Sequence, residues 1–222
     1  MRTAGGIAVG FLGAITLAAD PVEGTAVPPK ESTPAVVTDS NTRSWTASVS
    51  TFGYLVPDGQ SYGQPTVVAD VGRLHLEARY NYEGLETGSL WVGYNLHFGE
   101  RLTLDLTPMV GGVVGDVRGV APGVEATLSW WKLEGYWEME YVASAAGRDD
   151  SFLYLWSEVS LSVLDWLRVG GAAQRTSVYE TEVDIQRGFL VGLQFDPVAF
   201  TTYVFNPAQA RPTLVMALEV SF

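Results

Sequence analysis

The stretch Arg73-Leu-His-Leu-Glu-Ala-Arg-Tyr-Asn-Tyr82, then Glu83-Gly-Leu-Glu-Thr-Gly88, then Ser89 to Phe98, decides the fold. On the first arm Leu74, Leu76, Ala78, Tyr80 and Tyr82 alternate with His75, Glu77, Arg79 and Asn81. On the return arm Leu90, Val92, Tyr94, Leu96 and Phe98 alternate with Trp91, Gly93, Asn95 and His97. A period of two gives each strand one apolar and one polar face. A soluble sandwich would alternate too. Here the polar face carries an acid, an arginine, two histidines and two asparagines, and the apolar face runs into aromatics. The same pattern continues to Phe222. Apolar outside and polar inside is the pattern of a transmembrane antiparallel β-barrel, an all-β fold.

Composition agrees with that reading. The chain has 222 residues, enough for one barrel, and 47% of them are hydrophobic. After residue 20 no apolar run is long enough for a spanning helix, so the apolar content is spent on alternation. Cysteine is absent, which excludes disulfides, thiolate nucleophiles and cysteine metal sites. A net charge of −12 argues against nucleic acid as a partner, because its phosphates would be repelled.

Working outward to the beginning, residues 1–19 read as a secretory signal. Arg2 supplies the charge, Ala4 to Leu17 the apolar core, and Ala18-Ala19 a small-residue cleavage site. Residues 20–44 hold Pro21, Pro28, Pro29 and Pro34 among polar residues without a lasting period, which predicts a disordered periplasmic arm. The barrel is expected over 45–222.

Within it, turns and alternating runs trade places about every fifteen residues, one tilted strand plus its connection. The expected strands begin with Ser44 to Val56 and Ser61 to Ala69. The second of these is irregular because Pro65 cannot donate to a ladder. Further strands follow to Pro212–Phe222, with Gly115 to Ala121 read as a loop. The count is about twelve, or ten if the Pro65 strand and a neighbour drop out. An even count puts both termini on one side, the periplasm, where turns are short. Asp70 to Gly72, Gly99-Glu100, Lys132, Asp165-Trp166 and Asp196-Pro197 all turn on that side. Two aromatic belts are expected at the headgroup levels. Trp45, Phe98, Trp130, Trp166, Phe195 and Phe222 would form the periplasmic belt, and Tyr54, Tyr82, Tyr141, Phe152 and Phe205 the outer one.

The closing run Leu214-Val-Met-Ala-Leu-Glu-Val-Ser-Phe222 resembles the C-terminal signal of bacterial outer-membrane proteins, alternating apolar residues ending in phenylalanine. Pro65 to Asp70 with Arg73 to Glu83, and Arg187 to Gly192 with Thr201 to Pro207, are similar to uncharacterised outer-membrane barrels. The resemblance implies the outer membrane of a Gram-negative bacterium and recognition of Phe222 by the barrel assembly machinery. It implies no activity.

For chemistry, the lumen face is the place to look. His75 and His97 point inward without a serine two residues away, so the nucleophile arrangement of barrel hydrolases is not present. Two histidines leave a metal under-coordinated unless Glu77 joins them. No enzyme, cofactor or metal is expected. Asp105, Glu125, Glu138 and Glu158 fall at similar heights on four consecutive strands, with Glu134 below and Glu140 above. Together these six form an acidic lumen wall, against fewer interior cations: Arg79, Lys132 and Arg168. Arg175 and Arg187 sit on the apolar face at the outer rim, suited to snorkelling or to lipopolysaccharide phosphates. The expectation is a passive channel for small polar or cationic solutes. The alternative is a non-conducting structural or interaction barrel in which those acids pair with the bases and with Tyr136, Tyr154 and Trp156.

Overall fold

The computed structural model describes residues 45–55, 60–178, 184–210 and 212–222. The expected signal sequence and arm lie outside the described residues. The chain forms β1 (Trp45–Leu55), β2 (Tyr62–Val71), β3 (Leu74–Tyr80), β4 (Thr87–Tyr94), β5 (Leu96–Phe98), β6 (Leu102–Gly115) and β7 (Gly119–Trp130). It continues with β8 (Leu133–Ser144), β9 (Phe152–Leu164), β10 (Leu167–Val178), β11 (Asp184–Phe195), β12 (Val198–Phe205) and β13 (Thr213–Ser221). Segments β4 and β5 both pair with β6, in one register interrupted at Asn95, so they are two halves of one stave. Twelve staves therefore make the wall. Every neighbour is antiparallel, and β1 pairs with β13 to close the ring.

The strand containing Pro65 is a full stave. Pro65 lies opposite Thr51 with its ring outward, a position where a missing donor leaves the rest of the ladder intact. The expected loop at Gly115 to Ala121 is shorter than read. Strand β6 runs to Gly115 and β7 starts at Gly119, with Val113 opposite Gly119. The small residues there are ladder members and not turn formers.

Alternation sorts the side chains as a barrel requires. Along β13 Met216 and Leu218 are exposed, and Val215, Ala217 and Glu219 are buried. At the end of the barrel that carries Trp45 and Phe222, a ring of exposed aromatics includes Phe98, Trp130, Trp166 and Phe195, as the pattern predicts. The opposite, distal end departs from expectation. Only Tyr141 of its five aromatics is exposed. Tyr54 and Phe205 are buried inside, and Tyr82 and Phe152 pack against the interior clusters. Parity explains two of them, because Tyr54 and Phe205 share the lumen phase of Phe52 and Tyr203. Tyr82 breaks phase for a local reason. Asn81 takes a φ of 59° just after β3 ends, and this left-handed residue turns the next side chain inward.

Candidate functional site: the lumen cluster

Strand β3 brings Glu77 and Arg79 to the interior, and β7 and β8 bring Glu125, Glu138 and Glu140. Between β3 and β8 in the ring stand β4, β6 and β7, so an arginine must reach across lumen space to meet Glu138. Arg79 does so. Its Nη1 donates to Glu138 Oε1 at 2.7 Å and Glu140 Oε2 at 3.1 Å. Its Nη2 donates to Glu77 Oε2 at 2.8 Å and Glu125 Oε1 at 3.4 Å. The guanidinium also lies over the rings of Tyr82 at 4.4 Å and Trp91 at 4.8 Å. The side chains of Arg79 and Glu138 have no exposed surface at all. A planar fork with several donors suits this multivalent grip, which a lysine's point charge could not reproduce.

The acids are not the level row that counting residues predicts. Glu125 and Glu138 do face each other directly. Glu158, however, lies opposite Tyr136, and Asp105 opposite Thr127, each a step nearer the terminal end. Stagger between tilted strands produces this offset. Asp105 is held at 2.6 Å by His97, which is exposed at the mouth.

The other half of the lumen is aromatic. Trp156 of β9 meets Phe52 of β1, Tyr203 and Phe205 of β12, edge-on to all three, with centroids 6.2, 5.4 and 5.6 Å away. Such edge-to-face contacts suit the ring quadrupole. Glu158 accepts from Trp156 Nε1 at 2.9 Å and from the Tyr203 hydroxyl at 2.7 Å, and Arg168 reaches it at 3.4 Å. The two halves touch through Tyr82. Its hydroxyl donates to Glu138 at 2.6 Å, and its ring packs against the aromatic cluster and edge-on to Tyr154. Trp156, Tyr203, Phe205 and Glu138 are each 0% exposed. At this level side chains from different parts of the wall meet inside the barrel.

Glycine makes the closure possible in two places. A Cβ on Gly111 would stand 2.4 Å from the Trp91 ring, so only glycine lets that indole lie flat on β6. A Cβ on Gly192 would stand 2.6 Å from Arg168, the side chain that crosses it.

The remaining expected residues are dispersed. His75 is buried, 3.0 Å from Asp70 and 3.6 Å from Glu77, while His97 has its own acid. The histidines thus have separate partners, and no group of three or more such ligands among the described residues is placed to hold a metal. Lys132 is not a lumen cation. It sits in the β7–β8 turn with its ammonium 5.8 Å from the exposed Trp131 ring, because two turn residues take it out of strand alternation. Glu134 is buried opposite Ser129 and Ser160. Arg175 and Arg187 are exposed on neighbouring β10 and β11, as expected for outward positions.

Sequence reasoning put Tyr82 in the outer belt and passed over Glu83 and Glu219 as lumen residues. Glu219 follows the lumen parity of β13 and was legible there. Glu83 lies in a connection with no period to read, yet it accepts from Ser89 Oγ at 2.5 Å and Trp91 Nε1 at 3.2 Å. A tryptophan in polar phase, as Trp91 is, was the available signal that large side chains enter the lumen.

No family model matches the chain, and no curated protein matches it. Solved structures do. The KdgM porin aligns with a TM-score of 0.58 at 11% identity, over 79% of this chain and 99% of that one. The KdgM porin in complex with disordered oligogalacturonate aligns at 0.57 and 9% identity, with the same coverage. The outer membrane protein Omp33 of Acinetobacter baumannii aligns at 0.45 and 11% identity, over 80% of this chain and 97% of that one. At such identities the likeness is one of architecture: this chain has the closed twelve-stranded fold of the KdgM-like outer-membrane β-barrels.

Proposed function

We propose that this protein is an outer-membrane barrel whose lumen is shut by its own side chains, so that it works as a structural or binding barrel and not as an open pore. One observation carries the reading. Arg79, fully buried, ties four carboxylates together across the lumen and abuts an equally buried aromatic half. A hydrated solute would have to displace side chains that have no exposed surface at that level. Residence in the outer membrane, with both termini periplasmic, is supported by the exposed apolar strand faces and the aromatic ring at the terminal end. Arg175 and Arg187 then meet lipid or lipopolysaccharide phosphates at the outer rim. Phe222 then serves as the handle for the assembly machinery.

The second reading is a passive channel for small polar or cationic solutes. The shared architecture with porins favours it, as does the surplus of acids over bases around Arg79. Conductance in a planar bilayer separates the two. The wild type should be silent, and Trp156→Ala combined with Arg79→Ser should open a measurable current by removing both halves of the closure. Steady cation-selective current from the wild type would decide for the channel.

A further inference from the structure

At the distal mouth, beyond the closed level, a cavity of about 400 Å³ opens among β1, β2, the β3–β4 connection, β9, β10 and β11. Four tyrosines stand in its wall: Tyr54, Tyr62, Tyr82 and Tyr154. Tyr54 and Tyr62 are stacked, centroids 4.8 Å apart with planes 5° from parallel, and Tyr154 meets Tyr82 edge-on. Gln64 donates to the carbonyl of Asn81 and Gln174 to the side chain of Gln186, both at 2.9 Å, so the polar part of the wall is held in place. We propose that this cavity is a binding site for a small organic ammonium ion.

Three observations select that chemistry. First, no lysine or arginine is among the described residues that line the cavity, whereas Glu83 is, so an anion would meet a carboxylate and no described positive partner. Second, Glu83 spends Oε1 on Ser89 and Trp91, while its buried Oε2 meets no donor. A buried carboxylate oxygen left without a donor is costly, and an ammonium N–H is the strongest donor that could satisfy it. Third, the ring faces here already accept a cation. Arg79 lies 4.4 Å from the Tyr82 centroid, on the same ring that helps form the cavity wall. Tyrosine faces around a pocket next to a carboxylate are the recognition chemistry of organic cations. The Tyr82 hydroxyl leads directly to Glu138, so the acid-rich cluster lies one side chain away and biases the cavity further towards positive charge. The site is independent of whether the lumen conducts, because it lies on the distal side of the closure.

The test is calorimetric titration of the whole barrel in detergent micelles with n-butylammonium, glucose and butyrate as separate probes. Butylammonium should bind, and the neutral and anionic probes should give no saturable heat over the same range. Glu83→Gln keeps an acceptor for Ser89 and Trp91 and should weaken butylammonium binding at least tenfold. Tyr62→Ala removes one stacked ring from the wall and should weaken it several-fold. Unchanged heat-modifiable gel migration would verify that each variant is folded. Saturable glucose binding equal to that of butylammonium, absence of butylammonium binding, or wild-type affinity in both variants would each overturn the proposal.

Discussion

At the residue scale the structure turns on one guanidinium. Replacing Arg79 by alanine leaves Glu77, Glu125, Glu138 and Glu140 buried around an empty centre, and losing one partner of a buried ion pair costs about 3–5 kcal/mol. Urea unfolding in micelles should show that loss as a lower midpoint. Adding Glu138→Gln should recover part of it, because fewer charges then stay unpaired. Which residues face the lumen was legible, since period two by itself places Glu125, Glu138, Glu140 and Arg79 on the polar phase. Their actual partners were not. Pairing across the lumen depends on strand stagger and on side-chain reach, and neither leaves a trace in a single strand. Tyr82 was misread for a different reason. Its phase is broken by the backbone of Asn81, and a left-handed asparagine cannot be told from an extended one by alternation.

At the element scale, strands and short turns were the readable part. All five tight connections lie at the terminal end, as counting from Phe222 implies. The aromatic ring there makes depth a testable quantity. Val191 lies at mid-strand in β11 and faces outward, so Val191→Arg should cost about 2–4 kcal/mol at the bilayer midplane. Leu128 is two residues from the exposed Trp130, and Leu128→Arg should cost only about 0–1 kcal/mol near the interface. Equal shifts in the unfolding midpoints would show that the lipid level is misplaced. Strand β13 carries the other element-level prediction. Phe222 exchanges backbone bonds with Ala47, at 2.8 and 3.4 Å, and these are the last rungs of the closing ladder. Deleting Phe222 should lower the fraction of chain that reaches the heat-modifiable form during assembly. Undiminished assembly would separate the terminal residue from closure.

At the scale of the whole molecule, twelve staves leave the interior undecided between a packed core and a water channel. The answer depends on the summed volume of every inward side chain, with Trp91, Trp156, Tyr203 and Phe205 weighing most. No single stretch displays that sum. The ring itself has a further consequence. Since β1 and β13 are ordinary neighbours, the place where the polypeptide starts is arbitrary as far as the wall is concerned. Joining Phe222 to Trp45 through a short linker, and cutting the chain in the 145–151 connection between β8 and β9, would give a circular permutant with the same ring. Exposed connections tolerate such cuts when few backbone bonds are lost. The rearranged chain should refold in micelles to the same heat-modifiable species, with β9 as its first stave and β8 as its last.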